Sequence, residues 1–177
     1  MAIDTEKVTS IMKEQDENVE YIMSVARTTA GKYTEHLDTI MQELYKKIIK
    51  SDEVPTEEIE RNFLELTNLI YFMSDKLENL GAYDDISKAN AKEAYNKAYL
   101  TEQNNTDSNK KKPTVAELTA VAEQESKYET VVNNVYATAY AIVKAKVQSA
   151  QEMSKALSKI MSKRIAEMQM SAIPTNE

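Results

Sequence analysis

Between Thr114 and Ile173 there is neither glycine nor proline, and apolar side chains return every three or four residues. The series runs Leu118, Val121, Tyr128, Val132, Val135, Val143, Val147, Met153, Leu157 and Ile160, with Glu125, Ala139 and Ala150 at the intervening steps. That spacing is the signature of one buried helical face. At its start, Thr114 and Glu117 have the spacing of a capping box, in which hydroxyl and carboxylate each satisfy a backbone N–H. The stretch therefore predicts one helix over residues 114–170, about 80 Å long at ~1.5 Å per residue. Its steps mix threes and fours, with consecutive fours from Val135 to Val147, as in a heptad array with stutters. The shorter helices expected elsewhere cannot cover such a length, so the helix either folds back or pairs with copies of itself. The sustained stripe favours self-association through the residues just named.

The remaining chain reads the same way. With only 2 Gly and 3 Pro, turns are scarce and helices are favoured. Val8, Ile11, Val19, Ile22, Val25, Tyr33, Leu37, Ile40, Leu44 and Ile48 predict a helix over about 4–50, with a kink or break expected near Gly31. Ile59, Phe63, Leu66, Ile70, Met73, Leu77 and Leu80 keep strict steps of four and three, predicting a helix over 55–80 that Gly81 ends. Asp85 or Ser87 then caps a shorter helix over 87–102, and the polar, aperiodic residues 103–113 read as a flexible loop. The expected fold is all-α: a single elongated helical bundle spanning residues 1–177, with long N-terminal and C-terminal helices and coiled-coil-like self-association.

Charge is sorted along this chain. The net charge is -7, and residues 1–81 carry 17 acids against 9 bases, yet Lys144 to Arg164 holds six bases and one acid. At ~100° per residue Lys144, Lys155 and Lys159 project within about 60° of one another, opposite Val143, Val147, Ala150 and Leu157. Lys163 extends the strip, while Lys146 and Arg164 lie at its apolar border. A solvated helix face accounts for such a strip on an arbitrary helix. Segregation from the acidic half points instead to an anionic partner: a nucleic-acid backbone or the acidic surface of a neighbouring subunit. For nucleic acid the candidate contacts are Lys144, Lys155, Lys159, Lys163 and Arg164, with Lys110, Lys111 and Lys112 in the loop. Ten tyrosines and no tryptophan raise base stacking, but most of those tyrosines read as core.

Other chemistry lacks its parts. The lone His36 stands beside Glu35 and two residues before Asp38, without the Glu-to-His spacing of di-iron bundles. No phosphate-cradling glycine loop, serine elbow or Cys–His pair is present, so neither enzymatic activity nor a cofactor or metal is expected. Zero cysteines suit a reducing cytoplasm, and no apolar run approaches the ~18 residues of a membrane span.

Tyr136 and Tyr140 followed by KAKVQSAQEMSKALSKIMSKR, after a capping-box start, resemble the last helix of the UvsY-type recombination mediators of large tailed phages. The preceding FLELTNLIYFMSDKLENLGAYDDISKANAKEAYNKAYL is similar to small helical phage replication or recombination proteins, so the likeness spans residues 59–170. It implies a ring-forming helical protein that binds single-stranded DNA and helps load a RecA-like recombinase. This chain departs from the family in its longer N-terminal part and its acidity. The alternative expectation is a non-enzymatic phage structural protein, assembly chaperone or host-inhibiting adaptor that works through helical protein contacts.

Overall fold

The structure, a computed structural model, describes residues 5–48, 54–105 and 112–171. Four helices account for nearly all of them: α1 (Thr5–Ile48), α2 (Thr56–Asn104), α3 (Val115–Glu125) and α4 (Lys127–Ser171). There is no strand among the described residues, and the all-α expectation holds. No helix there is long and apolar enough to cross a membrane. The chain forms two compact units, each assembled from segments distant in sequence: Met1–Ala30 with Asn79–Ala141, and Gly31–Glu78 with Ile142–Glu177.

The second unit packs the later part of α1, the first part of α2 and the later part of α4. Leu37, Ile40 and Leu44 of α1, Ile59, Leu66 and Met73 of α2, and Val143, Val147, Ala150 and Leu157 of α4 form its core. Of the spacing that predicted α2, Ile59, Leu66, Met73 and Leu80 are buried and Phe63, Ile70 and Leu77 partly so. Lys146 Nζ donates to Asp38 Oδ2 (2.5 Å) and to Thr34 Oγ1 (3.0 Å), while the Thr34 hydroxyl donates to Asp38 (2.9 Å). Thr34 is fully buried while Asp38 and Lys146 keep partial exposure, so this trio ties α4 to α1 at the edge of the packed face. At the start of α2, Glu58 and Ile59 donate their N–H groups to the Pro55 carbonyl, 3.1 and 3.2 Å away. Lys47 pairs with Glu58 at 2.8 Å across the α1–α2 connection and holds that carboxyl below its usual range.

The first unit has a different interior. Its core is Ala26 and Ala30 of α1, Leu80 of α2, Leu118 and Ala122 of α3, and Val135 and Ala139 of α4, joined by buried Ser87 and Ser126. Ser87 Oγ donates to Asp84 O (2.8 Å) and Asn133 Oδ1 (3.3 Å), linking α2 to α4. Small residues let helices approach closely, and the polar ones keep partners. Tyr83 stacks on Tyr136 with ring centroids 5.6 Å apart, and Tyr95 stacks on Tyr99 at 6.4 Å.

Several expectations are corrected here. α1 is continuous through Gly31. Gly81 does not end a helix: α2 runs 49 residues through it, so the separate helices over 55–80 and 87–102 are one. A Cβ there would meet the ring of Tyr140 at 3.4 Å, an ordinary van der Waals contact, so the helix passes through the glycine without the packing requiring one. Ser87 is a buried mid-helix residue and Asp85 an exposed one, so neither caps. α2 also takes in Gln103 and Asn104, shortening the expected loop.

The capping box at Thr114 and Glu117 is present in both directions. The helix it starts nevertheless ends at Glu125, with Ser126 at φ -92°, ψ 8° before α4 begins. Ser126 Oγ donates back to Ala122 O at 2.7 Å, the back-bonding geometry that bends helices. The buried face there runs through Leu118, Ala122 and Ser126, while Tyr128 and Val132, expected in the stripe, are 82% and 48% exposed. None of the ten tyrosines is buried, against the expectation that most would be.

Candidate nucleic-acid interface

Within the second unit, α4 keeps Val143, Val147, Ala150 and Leu157 inward. The same geometry turns Lys144, Lys155, Lys159 and Lys163 outward, and all four are exposed. Lys159 has no hydrogen bond or ion pair among the described residues. Lys155 pairs with Glu152 (2.6 Å) and Lys163 with Glu167 (3.7 Å), one turn away on the same helix. Exposed pairs of this kind contribute about 0.3–0.5 kcal/mol and are screened by salt, so they do not hold the ammonium groups against a polyanion.

The two border cations are committed elsewhere. Lys146 belongs to the trio with Thr34 and Asp38. Arg164 is partly buried and donates through Nη1 to the Val54 carbonyl and, at 3.5 Å, to Thr56 Oγ1. That side chain fastens α4 to the residues leading into α2, which corrects its assignment to the outward strip. Lys112 is exposed just before α3, and Lys110 and Lys111 lie outside the described residues.

The stripe proposed for self-association is largely spent inside one chain. Leu118, Val135, Val143, Val147 and Leu157 are buried, and Val121, Met153 and Ile160 are partly so. The reason for invoking a second copy there was the shortness of the other helices. At 44 and 49 residues, α1 and α2 are comparable in length to α4 with its 45.

Sequence reasoning missed the aromatic neighbours of the lysines. Leu64, Tyr71 and Phe72 of α2 are 54%, 72% and 60% exposed, with the two rings edge-to-face at 5.5 Å. Thr67 Oγ1 lies 3.4 Å from Ser154 Oγ, pinning α2 against α4 at the solvent edge. Leu64, Thr67 and Tyr71 share one side of α2 by three-and-four spacing, and Lys155 follows Ser154 directly. Aromatic surface and ammonium groups therefore flank one exposed seam of this unit. The available signal was negative: Leu64, Tyr71 and Phe72 are large apolar residues that the seven-residue pattern of α2 leaves out.

His36 is exposed, and no three His, Asp or Glu side chains among the described residues come together as a metal site. Comparison of the chain with protein-family models, curated proteins and solved structures finds no match.

Proposed function

We propose that this chain is a cytoplasmic single-stranded-DNA-binding protein, of the mediator kind that helps load a RecA-like recombinase, as its resemblance to UvsY-type phage proteins implies. The observation that supports the DNA reading is the exposed edge of the second unit where Thr67 of α2 meets Ser154 of α4, with exposed Lys155 next in sequence to Ser154 and exposed Leu64 and Tyr71 on the Thr67 side of α2. Single-stranded DNA is held by this combination: cations track phosphates, and aromatic faces take unpaired bases without regard to sequence. Lys159, unpaired among the described residues, and the weakly paired Lys155 and Lys163 are available for phosphates, whereas Lys146 is not.

Fluorescence anisotropy with a labelled oligo-dT tests this reading. Binding should weaken steeply with salt, and Lys155→Glu/Lys159→Glu/Lys163→Glu should abolish it without loss of helicity. Tyr71→Ala should weaken binding by about 1–3 kcal/mol, the worth of one stacked base, while leaving the slope unchanged. A flat salt profile for the unmodified chain would reject DNA binding. It would favour the adaptor alternative, for which exposed Leu64, Tyr71 and Phe72 serve as a contact for a protein partner.

A further inference from the structure

The outward lysines of α4 stand in one row, Lys155, Lys159 and Lys163, each about one turn from the next. No acid lies between Lys155 and Lys163 in sequence, and Lys159 has no hydrogen bond or ion pair among the described residues. Along α4 the first acids on either side are Glu152 and Glu167. Each closes on the end lysine nearest to it: Glu152 Oε1 lies 2.6 Å from Lys155 Nζ, and Glu167 Oε1 lies 3.7 Å from Lys163 Nζ. Both carboxylate side chains are exposed, at 71% and 56%, so packing does not hold them there.

Neither pair joins α4 to another helix, and exposed pairs of this kind do little for a helix already packed along its opposite side. What they change is the charge that the row offers to an incoming anion. We infer that Glu152 and Glu167 are internal competitors of the DNA strand, occupying the two end lysines of the free protein until phosphates displace them. The inference rests on the DNA-binding reading and concerns the regulation of that same site.

Displacement acts against binding twice. The ion pair is lost, and the released carboxylate stays within about a turn of the incoming phosphate, where like charges repel. Both effects fall on the ends of the row, which leaves Lys159 as the cation a strand meets free. The two ends also differ. The Glu152–Lys155 pair is the shorter and has its acid on the N-terminal side, the favourable order on a helix, so it is the stronger brake.

Fluorescence anisotropy with labelled oligo-dT on the full chain at low salt tests this. Glu152→Gln/Glu167→Gln should bind about three- to fivefold tighter than the unmodified protein, the worth of two exposed helical pairs, with Glu152→Gln alone supplying the larger share. The gain should shrink as salt rises, because salt screens both the pairs and the repulsion. Glu35→Gln/Glu43→Gln removes the same charge from exposed positions of α1 in the same unit and should gain less than half as much. Binding by the unmodified chain with no tightening in the Glu152→Gln/Glu167→Gln variant would overturn the inference and leave the DNA-binding reading standing. An equal gain from the α1 variant would overturn it too, since net charge would then account for the effect. Absence of binding by the unmodified chain and by both variants would remove the two readings together.

Discussion

The two units solve the same packing problem with different materials. The second fills its interior with Leu37, Leu44, Leu66, Met73 and Leu157, large side chains that remove much apolar area from water. The first sets Leu80, Leu118 and Val135 among the small residues Ala26, Ala30, Ala122 and Ala139, with Ser87 and Ser126 buried beside them. It holds through close backbone approach and satisfied polar groups, such as the Ser87–Asn133 bond. Volume carries one unit and fit carries the other. They should therefore fail in opposite ways when a side chain is cut down or built up.

The largest effect belongs to truncation in the second unit. Leu66→Ala removes a fully buried side chain and leaves a void, costing about 2–5 kcal/mol by urea unfolding, with hydrogen exchange locating the loss among Gly31–Glu78 and Ile142–Glu177. Equal loss of protection in the first unit would erase the distinction between them. Enlargement in the first unit comes next. Ala139→Leu has no space to enter and should cost about 1–3 kcal/mol, whereas an interior built on volume would absorb the change with little loss.

The smallest effect is one of pH. The Thr114 backbone N–H and hydroxyl both donate to Glu117, and these bonds hold its carboxyl below the usual range, the backbone bond most strongly. A depressed folded value means that the contribution is complete above the ordinary carboxylate pKa and disappears as pH falls through the depressed one. Acidification should fray the start of α3, seen as a chemical-shift change at Thr114–Leu118. Glu117→Gln should remove that pH dependence. A transition unchanged in the variant would assign it to another carboxyl.

The same contrast explains what was legible in the sequence. Along α2, Ile59, Leu66, Met73 and Leu80 are large and buried, so hydrophobic spacing located the packed face directly. Along α3 and the start of α4 the buried positions are Ala122 and Ser126, with Asn133 bonded inward. A search for apolar residues passes over these and selects exposed Tyr128 and Val132 instead. Gly81 misled for a different reason: a glycine is only a local cue for a helix stop, and α2 packs on both sides of it through Met73, Leu80 and Ser87. The outward placement of Lys155, Lys159 and Lys163 followed from periodicity alone. The neighbouring Tyr71 and Phe72 required knowledge of which side of α2 meets α4, which no single-helix pattern contains.

The trio of Thr34, Asp38 and Lys146 imposes an order on an otherwise ambiguous surface. Val143, Val147 and Ala150 are nearly interchangeable rungs, and a slide of α4 by one turn would put one where another had been at modest loss. The ammonium has no such freedom. It sits where a buried hydroxyl can receive it while passing its own proton to the same carboxylate, and one turn higher or lower that carboxylate would face a methyl group. Apolar packing lets the helices adhere at several rungs, and a single nitrogen decides which rung they keep.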